Sequence, residues 1–113
     1  MQTPTISGYH AHVYFEQSSV EQARALRERI AEEFDHAVGR FHEKPVGPHP
    51  CWSFQVAFEP DALGVLLPWL ALNRHGLTVF VHGLTGDDLY DHTELVMWLG
   101  ESRKLNLDAL SPS

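Results

Sequence analysis

The chain has 113 residues, enough for one domain with a single hydrophobic core and too few for two ordinary domains. A hydrophobic content of 43% and a charged content of 20% are typical of a globular protein and exclude a disordered chain. The net charge of −7 argues against a nucleic-acid partner, and no apolar run approaches the ~20 residues that span a membrane. A single cysteine, Cys51, and an N-terminus without a signal-peptide pattern lead us to expect a cytoplasmic protein.

The first predicted element is a strand over about residues 9–15, after a short lead-in over 1–8. Its residues alternate, which places Ala11, Val13 and Phe15 on one face of a sheet. The other face of the strand then has two imidazoles and a phenol, those of His10, His12 and Tyr14. Histidines at consecutive positions on one face indicate either a metal site or an uncommon use of a sheet surface.

The remaining elements follow in the order helix, strand, strand, helix, strand and a last helical segment. Their predicted ranges are about 19–37, 38–43, 51–58, 59–76, 77–82 and 87–99. Pro68 lies inside the second helix, where we expect a kink or a restart. Residues 44–50 contain three prolines and a glycine and predict a stiff extended loop. The tail over 101–113 is apolar enough to dock on the domain or on a second subunit.

This order of elements predicts an α+β fold, the ferredoxin-like βαββαβ sandwich, as a single domain over 1–113 with a core of about 9–100. The expected sheet has four antiparallel strands in the spatial order 4-1-3-2, with both helices on one face. The opposite face is too aromatic to lie bare in water. We therefore expect the C-terminal segment or a second copy to cover it, the latter giving a homodimeric α+β barrel.

The histidines are expected to converge at one edge of this sheet. We expect strands 1 and 3 to run one way and strands 2 and 4 the other. The start of strand 1, the end of strand 2, the start of strand 3 and the end of strand 4 then lie together. That edge would gather at least five imidazoles, those of His10, His12, His42, His49 and His82.

Such a cluster indicates a site for a first-row transition metal, with the open positions used in non-haem iron chemistry. The preferred triad is His12, His49 and His82, because prolines stiffen the backbone around His49 and the other two lie on neighbouring strands. His10 is a second candidate ligand or a general acid/base. His92 follows His82 by only ten residues and can fold back over the same end, or be an ordinary helix-surface histidine.

Side chains on the same face could also bind a substrate beside the metal. Tyr14 and Phe80 could form walls around an aromatic ring, and Gln55 lies on the same face. The tryptophans are expected in the core. No nucleophile motif of the G-x-S-x-G type and no glycine-rich phosphate loop is present in the sequence.

Three segments, taken in order, resemble the fungal and bacterial DOPA 4,5-dioxygenase family over about residues 9–100. The segments that show the resemblance are Tyr9-His10-Ala11-His12-Val13-Tyr14-Phe15, Gly47-Pro48-His49-Pro50, and His82-Gly83-Leu84-Thr85-Gly86-Asp87-Asp88 with Asp91-His92-Thr93. The resemblance implies a small ferredoxin-like enzyme that cleaves catechols such as DOPA extradiol to the hydroxyls. It also implies O₂ as co-substrate and a non-haem Fe(II) as cofactor, although another divalent metal could occupy the same site. In the mechanism that we hypothesise, a nearby imidazole, that of His10 or His92, takes a proton from the catechol as the catalytic base. The family histidines map onto His10, His12, His49, His82 and His92.

Other function classes remain open from the sequence. The same fold could be a non-catalytic module that binds a metal or a small molecule. It could also be a cofactor-independent monooxygenase, since ferredoxin-like dimers can host such chemistry. An interaction domain with incidental histidines is the remaining alternative, and it predicts no pocket beside them.

Overall fold

A five-stranded antiparallel sheet with two helices on one face organises the chain. The structure is a computed structural model that describes residues 3–110, so the predictions for residues 1–2 and 111–113 lie outside the described residues. The strands are β1 (Gly8–Phe15), β2 (Ala37–His42), β3 (Trp52–Phe58), β4 (Thr78–Leu84) and β5 (Val96–Leu99). The helices are α1 (Val20–Glu33), α2 (Leu63–Asn73) and α3 (Asp88–Thr93).

The spatial order of the strands is β2-β3-β1-β4-β5, so the predicted order of the first four strands is confirmed. The predicted four-strand count and the helix over 87–99 are wrong. Only Asp88–Thr93 is helical, and Val96–Leu99 pairs with the outer edge of β4. Met97 and Leu99 pack against the core while Trp98 faces the opposite side, which is the alternation of a strand.

The predicted strand directions are also wrong. β1 lies between β3 and β4 and is antiparallel to both, so β3 and β4 run the same way. His10, near the start of β1, is therefore opposite His82 near the end of β4. His42, at the end of β2, lies instead at the opposite end of the sheet, where β1 ends. The histidines meet across a sheet face, by strand register and a covering loop, and not at one edge.

The core lies between the sheet and the first two helices, on the face predicted from the sequence. Ala11 and Val13 of β1 are fully buried against Ile30 of α1 and Leu66 of α2. α1 ends at Glu33, four residues before the predicted end, because Phe34 is extended and leads into β2. α2 continues through Pro68 without a restart. None of the described helices has the length and apolar character needed to cross a bilayer.

Three segments of the chain lie near the other face of the sheet: the proline-rich loop, α3 and the C-terminal stretch. The N–H of Asn106 donates to the carbonyl of Pro48 at 2.8 Å, which ties the C-terminal stretch to the loop. The buried carboxylate of Asp91 accepts from the N–H of Thr85 at 3.0 Å and from its hydroxyl at 2.6 Å. These bonds fix α3 beside the end of β4.

We predict that Asp91→Ala destabilises the protein by roughly 2–4 kcal/mol, because two bonds to a charged acceptor are lost and Thr85 keeps unpaired donors. Urea denaturation followed by circular dichroism measures the change. Asp88→Ala, on the exposed surface of the same helix, should change the unfolding free energy by about 0.5 kcal/mol or less. Equal effects of the two substitutions would contradict the role given to Asp91.

Candidate metal centre

The sheet face away from α1 and α2 presents its side chains in three rows that cross the strands. Cross-strand partners point to the same side, so the register defines each row. The first row contains Ala57, His10, His82 and Val96. The second contains Gln55, His12, Phe80 and Trp98, and the third contains His42, Ser53, Tyr14 and Thr78.

His12 and His82 make the closest contact between the rows. Their Nε2 atoms lie 3.0 Å apart, and both side chains are buried. Nδ1 of His82 lies 3.1 Å from the carbonyl of Gly83, which can only accept, so the hydrogen of His82 is on Nδ1 and its Nε2 has the lone pair. Nε2–H of His12 then donates to Nε2 of His82. A single proton therefore occupies the space between two nitrogen bases.

His10 completes a group of three imidazoles. One ring nitrogen each from His10, His12 and His82 lie within 4.8 Å of one another. Nitrogen ligands lie roughly 2.0–2.1 Å from a bound zinc ion, so two of them at right angles would be about 3 Å apart. The contact between His12 and His82 has this separation. The donor set and its spacing fit a divalent first-row metal, for which imidazole is a common ligand.

Burial keeps these imidazoles neutral, which is the form that binds a metal. Desolvation, followed by repulsion from His92, lowers the pKa of His82 from 6.5 to about 4. Desolvation and the neighbouring imidazoles, His49 first, hold the pKa of His12 well below its usual range. The pKa of half-buried His10 is lowered by desolvation and then by His92, against an opposing effect of Asp88.

His49 reaches this face from the proline-rich loop. Its ring centroid lies 4.0 Å from that of His12, and its Nδ1 is 2.7 Å from the hydroxyl of Tyr14. Desolvation lowers the pKa of His49 to about 4, with a smaller effect from His92. Burial, and to a smaller degree Cys51, raises the pKa of Tyr14, so its hydroxyl stays protonated and can donate to His49.

His92 approaches from α3. Its ring centroid is 4.0 Å from that of His82, and its Nδ1 lies 2.7 Å from the backbone carbonyl of Asp88. The carbonyl can only accept, so Nδ1 has the hydrogen and Nε2 has a free lone pair. An imidazole held in this tautomer can accept a proton from a bound molecule.

Aromatic side chains lie beside the imidazoles. Phe80 is fully buried and stacks on Trp98 with ring centroids 4.5 Å apart. Tyr14 lies edge-on to Trp98 at 6.0 Å. The sequence placed Trp98 in a core helix and therefore missed it, although the run Val96-Met97-Trp98-Leu99 before Gly100 is also compatible with a short strand. Trp52 packs on Phe15 on the helix side of the sheet and not at the site.

The structure brings together all five of the histidines assigned from the sequence. His49 was predicted as a ligand and His10 as an acid/base or a second-choice ligand, whereas the group within 4.8 Å contains His10 and does not contain His49. Gln55 is cross-strand to His12, on the same face and half-buried. His42 lies on this face at the edge strand, and its charge lowers the pKa of His49 slightly.

The buried imidazoles predict a pH-dependent stability of the metal-free protein. Folding lowers the pKa of His49 and of His82 from 6.5 to about 4. Between pH 4 and 6.5 the unfolded chain therefore binds more protons than the folded protein does. Stability is therefore full above pH 6.5 and falls as the pH drops towards 4. Urea midpoints measured across this range should fall less steeply for His49→Gln than for wild type. His75→Gln, at an exposed position, should keep the wild-type slope, and an unchanged slope in His49→Gln would contradict the prediction.

Comparison with solved structures gives a close relative of the whole fold. The crystal structure of a "putative dioxygenase" from Nostoc punctiforme matches with a TM-score of 0.90 and 45% sequence identity. The match covers 93% of this chain and 91% of that one.

Two fungal proteins are similar in sequence. An uncharacterized 21.2 kDa protein of Botryotinia fuckeliana is 40% identical over 111 residues, which is 88% of this chain and 61% of that protein. A DOPA 4,5-dioxygenase of Amanita muscaria is 30% identical over 111 residues, which is 90% of this chain and 49% of that protein. The chain thus spans about half to three fifths of the length of these fungal relatives. The model of the Dopa 4,5-dioxygenase family matches residues 9–109, and the chain belongs to that family.

Proposed function

We propose that the protein is an extradiol ring-cleavage dioxygenase that acts on a catechol, with O₂ and a non-haem Fe(II) held by histidines. The observation that supports this proposal best is the group of three imidazole nitrogens within 4.8 Å, on a face with aromatic side chains. Membership of a dioxygenase family supports an enzyme with a small aromatic substrate. The balanced reaction adds both atoms of one O₂ to the catechol and breaks a ring C–C bond beside one hydroxyl-bearing carbon.

In this proposal His10, His12 and His82 hold the metal, so that His10, the second-choice ligand from the sequence, takes the place of His49. All three lie on β1 and β4, whose other face packs in the core, so their positions are set by the sheet. A ferrous ion would supply Lewis acidity towards the catechol hydroxyls and the redox chemistry of O₂ activation. The protein contributes aromatic side chains beside the metal and groups that move protons.

His92 is the proposed general base. Its Nε2 has the free lone pair and its ring lies against His82, so it can take a proton from a catechol hydroxyl. His49 can instead donate a proton. When the Tyr14 hydroxyl donates to Nδ1 of His49, the ring hydrogen of His49 is on Nε2, which can donate to a bound molecule. One side of the site thus accepts a proton while the other can return one. Phe80 and Trp98 pack beside these groups, where they would exclude water from the ring of a bound catechol.

Metal affinity separates the ligand set proposed here from the one suggested by the sequence. His12→Ala, His82→Ala and His10→Ala should abolish binding of Co(II) or Fe(II), because each removes one nitrogen from the group. His49→Ala should weaken binding by about tenfold or less, as expected for a neighbour of the ligands. Anaerobic titration followed by visible absorption of Co(II) measures this, with circular dichroism to verify folding.

His75→Ala is the matched control and should bind the metal as the wild type does, since His75 is exposed and precedes the start of β4, whereas His82 lies near the end of that strand. Loss of binding in His49→Ala with retention in His10→Ala would restore the triad His12, His49 and His82. Retention in both His12→Ala and His82→Ala would reject either triad.

Activity tests the reaction itself. Protein loaded anaerobically with Fe(II) and mixed with DOPA or another catechol in air should form a yellow semialdehyde, with one O₂ consumed for each ring opened. Both oxygen atoms of labelled O₂ should enter the product. His92→Gln should lower kcat by about 10²–10⁴-fold, the usual size of a general-base contribution. No product together with no iron binding would reject the enzyme, and turnover that survives a strong chelator would instead indicate a cofactor-independent oxygenase.

A further inference from the structure

A concave region lies beside the candidate metal centre, where β1 ends and β3 and β4 begin. It is a cleft of about 380 Å³. The end of β1, the proline-rich loop, the start of β4 and the C-terminal stretch all line it. Its lining side chains include Tyr14, Glu16, Cys51, Thr78 and Arg103. None of the roles proposed above for the imidazoles uses this cleft.

Tyr14 connects the cleft with the imidazole cluster. It lines the cleft, and its hydroxyl is hydrogen-bonded to His49 at 2.7 Å. Along β1 it follows His12 by two residues on the same face, a step of roughly 7 Å in an antiparallel strand. A ring placed in the row of His12, Phe80 and Trp98 would therefore direct a substituent towards the row of Tyr14 and Thr78. That row leads into the cleft.

The cleft contains one cation and one anion. Of its lining residues, Arg103 has the permanent positive charge and Glu16 the negative one. Nη1 of Arg103 donates to the carbonyl of Glu101 at 2.9 Å, and the carboxylate of Glu101, 88% exposed, lies 3.8 Å away. The backbone contact orients the guanidinium, whose planar fork suits a carboxylate.

Arg103 and Tyr14 line the same cleft, and the hydrogen bond of Tyr14 to His49 places the phenol at the end of the cleft nearest the imidazoles. The charge of Arg103 can therefore act on a substituent that passes the phenol into the cleft. Without Arg103, the cleft would retain only the negative charge of Glu16 and would repel an anion.

We propose that this cleft binds the ring substituent of the substrate, and that Arg103 selects catechols whose substituent ends in a carboxylate. This inference rests on the proposed function, because it assigns the ring to the row of His12. Arg103 is the specificity-determining residue, Tyr14 separates the ring from the cleft, and Thr78 lines its wall on β4. A catechol with an uncharged substituent of similar length gains no such contact.

The test compares 3-(3,4-dihydroxyphenyl)propionate with 4-ethylcatechol. Arg103→Met should lower kcat/KM for the carboxylate substrate by about tenfold or more, mainly through KM, because a charge-assisted contact is lost. The value for 4-ethylcatechol should change by less than about twofold. Lys104→Met removes the adjacent exposed cation and should change neither value. Glu16→Gln should shift the preference in the opposite direction, towards the carboxylate.

Anaerobic equilibrium dialysis of the same two compounds separates this inference from the proposed reaction. If wild type binds the carboxylate compound more tightly and Arg103→Met loses that preference, the cleft assignment holds even where no ring is cleaved. If wild type cleaves 4-ethylcatechol but has the same preference as Arg103→Met in both binding and turnover, Arg103 is not the selective residue and the inference is wrong.

Discussion

The contact between Nε2 of His12 and Nε2 of His82 is the constraint on which the candidate site depends. Two nitrogen bases 3.0 Å apart in a buried setting cannot both be protonated, because like charges at this distance repel strongly in a medium of low dielectric. The pair is therefore neutral near pH 7 and shares one proton. A metal ion bound by both nitrogens would take the place of that proton.

Strand alternation builds this contact from residues whose neighbours form the core. Ala11 and Val13 are fully buried against the helices, and the histidines between and beside them must point the other way. A shift of one residue in the pairing of β1 and β4 would place the histidines in the core and the apolar residues at the site, so the hydrophobic face fixes the register. The free energy gained by burying one face therefore also fixes the imidazole geometry on the other.

Much of this could be predicted from the sequence, because alternation and element order are local signals. These signals predict the order of the first four strands, the two faces of the sheet, and the position of His12 and His82 on one face of neighbouring strands. The predicted strand directions were wrong because they conflict with the predicted strand order. In an antiparallel sheet β1 lies between β3 and β4 and must therefore run opposite to both. β5 was missed because four apolar residues are too few to distinguish a strand from the end of a helix. The position of Trp98 at the site depended on that strand.

The path of the proline-rich loop had no local signal either. His49 is flanked by prolines, which fix its own backbone but do not say which sheet face the loop will cross. Its position depends on long-range contacts, the bond from Asn106 to Pro48 and that from Tyr14 to His49. Such contacts join residues far apart in sequence, and alternation within a segment cannot predict them.

The five imidazoles thus divide according to the elements that position them. His10, His12 and His82 lie on central strands held by the core, whereas His49 and His92 lie on a loop and a six-residue helix held by a few polar bonds. Central strands open only with the whole fold, while loops and short helices can move separately at lower cost. Metal ligands require fixed positions, and groups that exchange protons with a substrate benefit from adjustment as it enters. This mechanical difference, in addition to the distances, is why we assign His10 to the metal and His49 to the proton-transfer groups.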